Sequence, residues 1–487
     1  MTDLYIEKIN DVHIRINCDA GMAQELSEFF TFSVPGAHFM PSVKNKVWDG
    51  KVRMFNTFTK LLYAGLVPHV IAFAQQRDYT FACGTGVATQ EKPTEDAVVD
   101  FFKALALPKD KTPRDYQLRA FLHAARNLRA MMISPTASGK SLIIYTIISW
   151  FDTLNCLVVV PTKGLVTQMR GDFIEYGCDP REISIIMGGE SKDVKTRIVI
   201  TTWQSVYEMP KKWFARYGAI FGDEAHLFKA KSLEKIMGHL TECPVRIGTT
   251  GTLDGSKVNK LVLEGMFGPV IQVERTSSLM AKGQVASLKV RCTVFEYSDI
   301  IKRQLSQNKS YQDELDFLCS YIPRNEFIVK FVKSLKGNTL VLFNYVDKHG
   351  KPLYEMFKKA TEGTNRKVFL VYGGTDAEQR ESVRQIVENE KDAIIVASYG
   401  TFSTGVNIRN LHNAVAASPT KSIVRLLQSI GRILRLGSNK DGAVWYDLAD
   451  DLTWKSRVNH TLKHFAERIK IYNEQNFDVK IYRWRLS

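Results

Sequence analysis

The sequence is poor in the features that mark secreted, membrane-spanning and zinc-binding proteins. Its seven cysteines are scattered, and no two have a C-x-x-C spacing, which argues against a zinc site or a thioredoxin-type pair and is typical of a reducing compartment. The start, MTDLYIEKIN, lacks the basic segment and apolar run of a signal peptide. No apolar run approaches the ~20 residues of a membrane span. We therefore expect a cytoplasmic protein with no membrane partner.

Long low-complexity runs are also absent, so we expect the chain to be folded along almost all of its length. Its 487 residues exceed what one hydrophobic core supports, which predicts about two to four domains. The net charge of +15 favours a polyanionic partner, because Lys and Arg displace counterions from phosphates. Charge alone leaves two alternatives open, nucleic-acid binding and an unspecialised basic surface.

From about residue 114 onwards, short apolar runs alternate with helical stretches. The runs cover 130–133, 156–160, 198–200 and 219–221 in a first set, and 339–343, 367–371, 393–396, 414–417 and 443–446 in a second. Continuously apolar runs are typical of strands buried on both faces of a parallel sheet. We therefore predict two consecutive α/β units that meet near residues 275–290.

The segment before residue 90 has a different character. It combines an alternating run at Val12–Ile16, a predicted helix at Ala20–Phe30 and a basic, aromatic stretch at Lys44–Phe55. Asp49-Gly50 within that stretch predicts the tip of a β-hairpin, and three side chains near it suit a nucleic-acid backbone and base: Trp48, Lys51 and Arg53. The alternative is a solvated hairpin with Trp48 packed into its own domain.

A phosphate-binding loop is predicted at Ser134–Ser141, between the apolar run 130–133 and the helical stretch 142–150. Backbone N–H groups at a helix start cradle phosphate oxygens. Lys140 is predicted to reach the β- and γ-phosphates, and the Ser141 hydroxyl to bind Mg²⁺. Ser134 stands where the usual pattern has its first glycine, so the loop alone leaves a chance G-K-S open.

An acidic segment, Asp223–His226, follows the apolar run 219–221. We assign Asp223 to Mg²⁺, directly or through water, and Glu224 to orienting or deprotonating the attacking water. The alternative is an ordinary acidic loop. In the second α/β unit, Arg432 and Arg435 are spaced i, i+3 on a predicted helix and suit a developing γ-phosphoryl charge, as arginine fingers do; an exposed basic helix is the alternative.

In this order the motifs resemble those of superfamily 2 helicases and translocases of the DEAH-box type, across about residues 114–450. The residues that carry the resemblance are Gln117, Thr136–Ser141, Asp223–His226, Thr249–Thr252 and Gln428–Arg435. The resemblance implies an α/β fold with two tandem RecA-like parallel-sheet domains and a small N-terminal α+β accessory domain. It also implies ATP-dependent helicase activity with ATP and Mg²⁺.

Residue roles follow from this resemblance. For ATP binding it implies Arg114, Tyr116, Gln117, Thr136, Ala137, Ser138, Gly139, Lys140, Ser141, Gly405, Arg432 and Arg435; of these Lys140, Arg432 and Arg435 are catalytic, with Asp223 and Glu224. For coupling it implies His226, Thr250, Thr252 and Gln428. For nucleic acid it implies Pro161, Thr162, Lys163, Thr202, Gln204, Asn344, Gly373, Ser398 and Thr401.

The expected domains are an accessory nucleic-acid-binding domain (1–90), a linker (91–113), a first RecA-like domain that binds ATP (114–280), a second (281–452) and a basic extension (453–487). The last segment, with eight Lys/Arg against three Asp/Glu in Trp454–Ser487, packs on the second unit or touches phosphates. The segments Val47–Arg53, Tyr399–Gly405 and Gln428–Arg435 further resemble recombination helicases of T-even-type bacteriophages.

That resemblance implies a monomer in the cytoplasm of an infected bacterium. Its substrates would be branched DNA: forks, Holliday junctions, D-loops and R-loops, hence also RNA–DNA hybrids. The helicase would move 3′-to-5′ and act in recombination, replication restart and repair. Single-strand-binding or recombination proteins are the expected partners. The alternatives are a double-strand translocase of the remodelling or restriction type, an RNA–DNA helicase, and an inert binder. No convincing P-D…(D/E)-x-K nuclease constellation is present, and Lys140, Glu224 and Arg432 argue against an inert chain.

Overall fold

The computed structural model describes residues 2–34, 36–87, 93–189, 191–228, 230–253, 257–307, 310–405, 408–437, 440 and 442–486, with 230, 257–259, 377 and 403–405 described by their backbone. The chain divides into two compact units, one of Met1–Ser134 with Gly139–Glu274 and one of Pro135–Ser138 with Arg275–Ser487. The expected fold class is confirmed, since each unit contains a parallel sheet and the first also carries a small mixed sheet. None of the described helices is long and apolar enough to cross a membrane.

The N-terminal part of the first unit is a small α+β structure. Its strands are β1 Leu4–Lys8, β2 His13–Asn17, β3 Thr31–Ser33, β4 Lys51–Arg53, β5 Leu61–Tyr63 and β6 Phe81–Cys83, and its helices are α1 Ala20–Phe29, α2 Pro41–Lys44 and α3 Val67–Gln76. The sheet has the order β5–β2–β1–β6, with β1 antiparallel to β2 and parallel to β6. Alternation in β2 buries Ile14 and Ile16 and exposes Arg15.

The predicted hairpin with its tip at Asp49-Gly50 is wrong. The residues before the tip form α2, because Pro41 suits the first helical position and the N–H groups of Val47 and Trp48 both donate to the Ser42 carbonyl, at 2.9 and 3.1 Å. After the tip, β4 pairs antiparallel with β3. The chain bends at Gly50, which has a positive φ of 76°.

Helix α4 (Glu95–Leu105) lies within the range 91–113 that the sequence suggested as a linker. The Thr94 hydroxyl caps this helix by accepting from the Ala97 N–H at 3.2 Å. The Phe101 ring stacks on Phe121 with centroids 5.4 Å apart, and Phe121 belongs to the next helix, α5 (Asp115–Asn127). This part of the chain is therefore packed against the first α/β unit rather than extended.

The first parallel sheet contains β7 Arg129–Ile133, β8 Cys156–Val160, β9 Ile183–Ile186, β10 Ile198–Thr202, β11 Ala219–Gly222, β12 Val245–Thr250 and β13 Val270–Gln272, in the order β13–β7–β12–β11–β8–β10–β9. Its helices are α6 Lys140–Trp150, α7 Lys163–Glu175, α8 Trp203–Val206, α9 Lys211–Phe214, α10 Ala230–His239 and α11 Lys257–Phe267. All four apolar runs of the first set lie in strands. The runs missed β9, β12 and β13, of which β12 mixes polar residues with apolar ones.

The N-terminal part shares a core with this sheet through α11. Leu261 of α11 belongs to the cluster of buried residues that fills the N-terminal part. The backbones approach closely at Gly65, where an added Cβ would lie 2.0 Å from the Glu264 carbonyl oxygen. The His69 Nε2 atom lies 3.1 Å from the buried Glu264 carboxylate. The N-terminal part and the first parallel sheet are therefore packed together.

The second unit is built on another parallel sheet, which β14 Ser287–Glu296, β15 Thr339–Phe343, β16 Val368–Val371, β17 Ile394–Ser398, β18 Asn413–Ala416, β19 Gly442–Asp451 and β20 Asp478–Arg485 form in the order β16–β17–β15–β18–β19–β14–β20. Its helices are α12 Thr276–Ala281, α13 Asp299–Leu305, α14 Tyr311–Ser320, α15 Ile322–Ser334, α16 Lys351–Thr361, α17 Ala377–Asn389, α18 Tyr399–Gly405, α19 Ile423–Ile433 and α20 His460–Glu474. The second set of apolar runs lies in strands. β14 and β20, which alternate polar and apolar residues, were missed.

The basic C-terminal segment contributes α20 and the edge strand β20 to the second sheet. β20 pairs in parallel with β14 from Asp478 to Arg485. Its Trp484 ring lies 5.2 Å from Phe327 and is 54% exposed. Of the two alternatives for this segment, the structure has the one in which it packs on the second unit.

Candidate functional site

Three neighbouring strands of the first sheet end in the predicted ATP-site motifs. The order β7–β12–β11 places the ends of these strands side by side, and the carboxyl ends of parallel strands lie at the same sheet edge, where α/β proteins bind ligands. β7 is followed by the loop from Ser134, β12 ends at Thr250, and β11 is followed by Asp223. The topology therefore brings together motifs that are far apart in the sequence.

The loop after β7 has the conformation expected of a phosphate cradle. The Ser134 N–H donates to the Thr250 carbonyl at 2.8 Å, and Ala137 and Gly139 adopt positive φ of 68° and 75°. A Cβ on Gly139 would lie 2.4 Å from the Gln117 amide nitrogen, so glycine is required both for the backbone angle and for space. Helix α6 begins at Lys140, and its first N–H groups have no partner within the helix. This arrangement suits an anion.

Lys140 and Glu224 form the central ion pair of this edge. The Lys140 ammonium donates to the Glu224 carboxylate, and both side chains are largely buried, at 13% and 15% exposure. Burial opposes ionisation of Glu224, but the charges of Lys140 and His226 prevail and lower its pKa. Glu224 is therefore a carboxylate anion, the form that can accept a proton.

Asp223 is the more deeply buried of the two acids. Its Oδ1 accepts a hydrogen bond from the Thr249 hydroxyl at 2.7 Å, and burial raises its pKa. The next residue, Glu224, has a left-handed φ of 47°, a conformation that costs a non-glycine residue energy and is concentrated at functional sites. This turn of the backbone directs the two adjacent carboxylates to different partners.

Three of the four predicted coupling residues meet at the ends of β11 and β12. The Thr250 hydroxyl lies 2.5 Å from His226 Nδ1, 2.7 Å from the Thr252 carbonyl and 3.5 Å from a Glu224 carboxylate oxygen. The Gly251 N–H donates to the same carboxylate at 3.3 Å. A displacement of this segment would therefore directly change the hydrogen bonds to the Glu224 carboxylate. The fourth coupling residue, Gln428, is buried in α19 of the second unit.

The oxygen donors assigned to Mg²⁺ suit that ion. Ser141 lies in the first turn of α6, where its hydroxyl is 2.9 Å from the Tyr176 hydroxyl, and Asp223 supplies a carboxylate. Hard cations prefer such oxygens, and Mg²⁺ is typically held by one or two protein groups together with substrate phosphates. The described residues contain no group of three or more His, Cys, Asp or Glu that could hold a metal ion.

Three of the predicted ATP-binding residues, Arg114, Tyr116 and Gln117, lie at the start of α5. The Arg114 N–H donates to the Gln117 side-chain oxygen at 2.8 Å, and the Arg114 guanidinium donates to the Tyr116 hydroxyl at 3.2 Å. The Gln117 amide in turn donates to the Gly139 carbonyl at 3.5 Å, which links α5 to the phosphate loop. Tyr116 is fully buried, whereas Arg114 is exposed. Arg114 is therefore the more accessible of the two to a nucleotide.

The predicted nucleic-acid residues of the first unit lie on the neighbouring strands β8 and β10. Pro161, Thr162 and Lys163 follow β8, Thr202 ends β10, and Gln204 lies in α8 directly after it. The two groups touch, because the Gln204 amide donates to the Pro161 carbonyl at 3.5 Å. The same sheet edge therefore carries the ATP motifs on β7, β12 and β11 and these residues beside them.

In the second unit the arginine segment differs in part from the prediction. α19 ends at Ile433, so Arg432 is helical but Arg435 lies beyond the helix, and the two do not share a helical face. The Arg435 N–H donates to the Arg432 carbonyl at 3.4 Å, which keeps the two close along the chain. The Arg432 guanidinium lies 5.9 Å from the Phe402 ring centre. Gly405 ends α18 and is described by its backbone.

The second unit's predicted nucleic-acid residues follow three adjacent strands, β16, β17 and β15. Gly373 comes after β16 and is exposed, Ser398 ends β17, and Asn344 comes after β15. The Ser398 hydroxyl donates to the Thr401 hydroxyl at 2.8 Å. The topology therefore places these residues at one sheet edge as well.

A loop that supports α19 was not predicted from the sequence. We call Ala417–Thr420, between β18 and α19, the clamp loop. Its four carbonyl oxygens accept hydrogen bonds from four different side chains: Arg324 to Ala417 at 2.8 Å, Tyr399 to Ser418 at 3.3 Å, Asn344 to Pro419 at 2.8 Å and Arg468 to Thr420 at 3.0 Å. The loop that leads into α19 is therefore held by a side-chain hydrogen bond at each of its four residues.

Two of the four side chains that donate to the clamp loop, Arg324 and Arg468, are held in buried ion pairs. Arg324 pairs with Asp450 at 2.8 Å and Arg468 with Asp447 at 2.7 Å, and none of these side chains is more than 4% exposed. The signal in the sequence was the presence of two aspartates inside the apolar stretch of β19, since buried charges are retained only when they are paired. Without the fold, nothing indicated their partners.

The structure is compatible with both alternatives for Trp48, Lys51 and Arg53, a nucleic-acid contact and a solvated surface. Trp48 is half-buried and its indole N–H donates to the Lys51 carbonyl at 2.9 Å. Arg53 pairs with Asp49 at 2.5 Å, which offsets its charge, whereas Lys51 is exposed. The three side chains are therefore close together on the surface, with Lys51 as the cation most available to a phosphate.

Three family models match the chain in succession. The N-terminal part matches "DNA helicase UvsW, N-terminal" over residues 3–83, the first α/β region matches "Type III restriction enzyme, res subunit" over 110–255, and the second matches "Helicase conserved C-terminal domain" over 323–437.

Among curated proteins, the chain is 34% identical over 491 residues to the ATP-dependent DNA helicase uvsW of Enterobacteria phage T4, with 96% of each chain covered. It is 26% identical to the DNA 3′-5′ translocase XPB2 of Sulfurisphaera tokodaii, over 71% of this chain and 84% of the relative. Among solved structures, the T4 UvsW crystal structure matches with a TM-score of 0.53 and 31% identity over the full length of both chains.

Proposed function

Because the chain belongs to the UvsW-type helicases and is an ATP-hydrolysing DNA helicase, we propose that its substrates are branched DNAs: forks, Holliday junctions, D-loops and R-loops. The observation that carries the proposal is the packing of the N-terminal part on α11 of the first sheet, through Leu261 and Glu264. A DNA-binding part held firmly on the motor can grip duplex while the motor moves a strand. The expected roles are in recombination, replication restart and repair.

For hydrolysis we propose that Lys140 neutralises the β- and γ-phosphates and that Glu224 accepts the proton of the attacking water. In the structure Lys140 and Glu224 neutralise each other. A bound triphosphate would compete for Lys140 and free the Glu224 carboxylate for water. Arg432 and Arg435 are proposed to neutralise the charge that develops on the γ-phosphoryl group.

Ser141 and Asp223 would hold the Mg²⁺ ion, which offsets phosphate charge when bound. Arg114 and Gln117 are proposed to read the adenine, with Tyr116 supporting Arg114 from within the core. His226, Thr250, Thr252 and Gln428 are proposed to couple hydrolysis to movement. Gly405 is proposed to contact the bound nucleotide.

For DNA we propose that the residues after β8, β10, β15, β16 and β17 hold strand phosphates without reading sequence, as hydroxyl, amide and loop N–H groups do. Lys51, Arg53 and Trp48 would contact duplex near the branch. The protein is proposed to act as a monomer in the cytoplasm of an infected host, with single-strand-binding or recombination proteins as partners.

A second candidate function is double-strand translocation without strand separation. It is favoured by the similarity to a protein named a DNA 3′-5′ translocase, from which we also propose the 3′-to-5′ direction. Translocation predicts displacement of a triplex-forming third strand from plain duplex, whereas branch processing does not require it.

The two functions are separated by strand displacement on matched substrates: a fork, a Holliday junction, an R-loop and a plain duplex, each with ATP and with Lys140→Ala as control. Branch processing predicts rapid product from the three branched substrates and little from the duplex. Equal rates on all four, or none on any, would contradict the proposal. A Lys51→Ala/Arg53→Ala variant should weaken fork binding and leave ATPase on single-stranded DNA unchanged; equal fork affinity would remove the role of the accessory part.

A further inference from the structure

A cavity of about 370 Å³ lies in the first unit between the N-terminal part and the end of α5. Arg129, the first residue of β7, lines it. The strand runs from this residue to Ile133, beyond which the phosphate loop begins, so the cavity and Lys140 lie at opposite edges of the sheet. Five residues of strand separate the edges by about 16 Å. The cavity is therefore distinct from the proposed ATP site.

The charged residues that line the cavity are unbalanced. The cations are Lys8, Arg126 and Arg129, and the acid among the lining residues is Asp11. The Asp11 carboxylate is already paired with the Lys8 ammonium at 2.7 Å. Three cations thus line the cavity against one carboxylate, and Arg126 is exposed.

Arg129 is the most unusual of these three cations. One of its terminal nitrogens donates to the Asp11 backbone carbonyl, while the other, Nη1, is covered and has no hydrogen-bond partner among the described residues. The residue opposite it in the sheet is a second buried cation, Arg246. Burial, followed by the charge of Arg246, lowers the pKa of Arg129 to about 9. An anion in the cavity would offset both effects.

Most of the remaining lining residues are apolar, and they include Ile14, Val67, Pro68, Leu128 and Pro244. Two others, His123 and Asn127, are polar. Small-ligand sites typically combine an apolar wall with a few placed polar groups, in volumes from about 300 Å³ upwards. An inorganic phosphate would leave most of this volume empty, whereas a nucleoside phosphate has an apolar face as well as a charge.

We propose that this cavity binds a nucleoside phosphate, with the phosphate beside Arg126 and Arg129 and the nucleoside against the apolar wall. The ligand is either a free nucleotide or the 5′-phosphorylated end of a DNA strand, because both present the same chemistry. Its occupation would add contacts between the N-terminal part, which supplies Lys8 and Val67, and the first parallel sheet, which supplies Arg129.

The test uses the full chain with Lys140→Ala to weaken the ATP site, titrated calorimetrically with adenosine 5′-monophosphate. We expect one binding site whose Kd rises at least tenfold when Arg126→Gln is added, and also when Lys8→Gln is added instead. Arg119→Gln is the matched control, because Arg119 is exposed on the same helix and pairs with Asp115. It should leave the Kd unchanged. No binding, or a Kd that both cavity variants leave unchanged, would overturn the proposal.

A competition experiment then identifies the source of the ligand. Displacement of the nucleotide by a 5′-phosphorylated oligonucleotide, but not by its unphosphorylated form, assigns the cavity to a DNA end. Failure of both oligonucleotides to displace it assigns the cavity to a free nucleotide. Equal displacement by both forms would contradict a phosphate-dependent site. Since these readouts require no hydrolysis or strand separation, their outcome is independent of the proposed helicase substrates.

Discussion

The carboxyl edges of the two parallel sheets are stabilised in different ways. At the first, the candidate catalytic residues bond to one another: Lys140 to Glu224, Thr249 to Asp223 and Thr250 to His226. At the second, α19, which carries Arg432, is supported by the clamp loop and by the side chains that donate to that loop. The first edge can therefore rearrange when a ligand replaces one of its bonds, whereas the second is a fixed support.

This difference separates two kinds of substitution. A change at the first edge should impair chemistry with little effect on stability, because its partners are exchangeable. A change beneath the second edge should reduce stability, because it leaves a buried charge or carbonyl without a partner. Substitutions at the two edges therefore test this difference.

The largest effect is expected from Glu224→Gln. The amide cannot accept the proton from water, so kcat for DNA-stimulated ATP hydrolysis should fall by about 10³-fold. The urea midpoint of unfolding should fall less than for Arg468→Met, because the amide oxygen can still accept a hydrogen bond from Lys140. A steady-state phosphate-release assay with a parallel unfolding curve measures both. A kcat within tenfold of the wild-type value would remove Glu224 from its proposed role.

Arg468→Met should act in the opposite sense. It leaves Asp447 buried without its partner and the Thr420 carbonyl without its donor, which should cost about 3 kcal/mol of unfolding free energy. The matched variant Asp447→Leu/Arg468→Met removes both charges and should recover part of that loss. Equal stability of the single variant and the wild type would show that the support is not rigid.

Acid should weaken the second unit through His349. This residue is fully buried, its Nδ1 lies 2.8 Å from the Ser418 hydroxyl, and burial lowers its pKa to about 3. The unfolded chain takes up a proton near pH 6.5 and the folded one does not, so the stability from this group is complete above that pH and declines as pH falls towards 3. Between pH 7 and 5 the loss should be about 2 kcal/mol.

Urea unfolding at the two pH values tests this expectation. His349→Asn should flatten the pH dependence over that interval. The exposed His38 is a suitable control, because His38→Asn should leave the slope unchanged. The account of His349 would fail if the wild type and His349→Asn lost the same free energy.

The smallest effect is expected from Tyr399→Phe. It removes one hydrogen bond to the clamp loop, from the Tyr399 hydroxyl to the Ser418 carbonyl at 3.3 Å, and should cost about 1 kcal/mol of stability. Tyr482→Phe, at an exposed position of β20, is the matched control and should cost much less. A cost for Tyr399→Phe no larger than that of the control would mean that this contact contributes nothing to the support.

The contrast between the edges also explains how far the sequence could be interpreted. The buried strands were visible because continuous apolar runs such as Cys156–Val160 and Thr339–Phe343 fill the sheet interiors. The first edge was visible because the residues that we propose to act on phosphate lie in short sequence motifs. The clamp loop was invisible because Arg324, Tyr399 and Arg468 are far apart in the sequence and meet only in the folded chain.

Two predictions failed for local reasons. The hairpin at Asp49-Gly50 assumed that adjacent segments pair, but β4 pairs with β3, and the intervening residues form α2. The shared helical face of Arg432 and Arg435 assumed that α19 continues, but it ends at Ile433. In both cases the spacing in the sequence was compatible with more than one backbone conformation.

The most direct test of the account is phosphate release on forked DNA, measured for the wild type and Lys140→Ala, with the exposed Lys103→Ala as control. Forked DNA should stimulate hydrolysis by the wild type and by Lys103→Ala, and Lys140→Ala should abolish the stimulated rate. Absence of stimulation in the wild type, or a Lys140→Ala rate equal to it, would contradict the account.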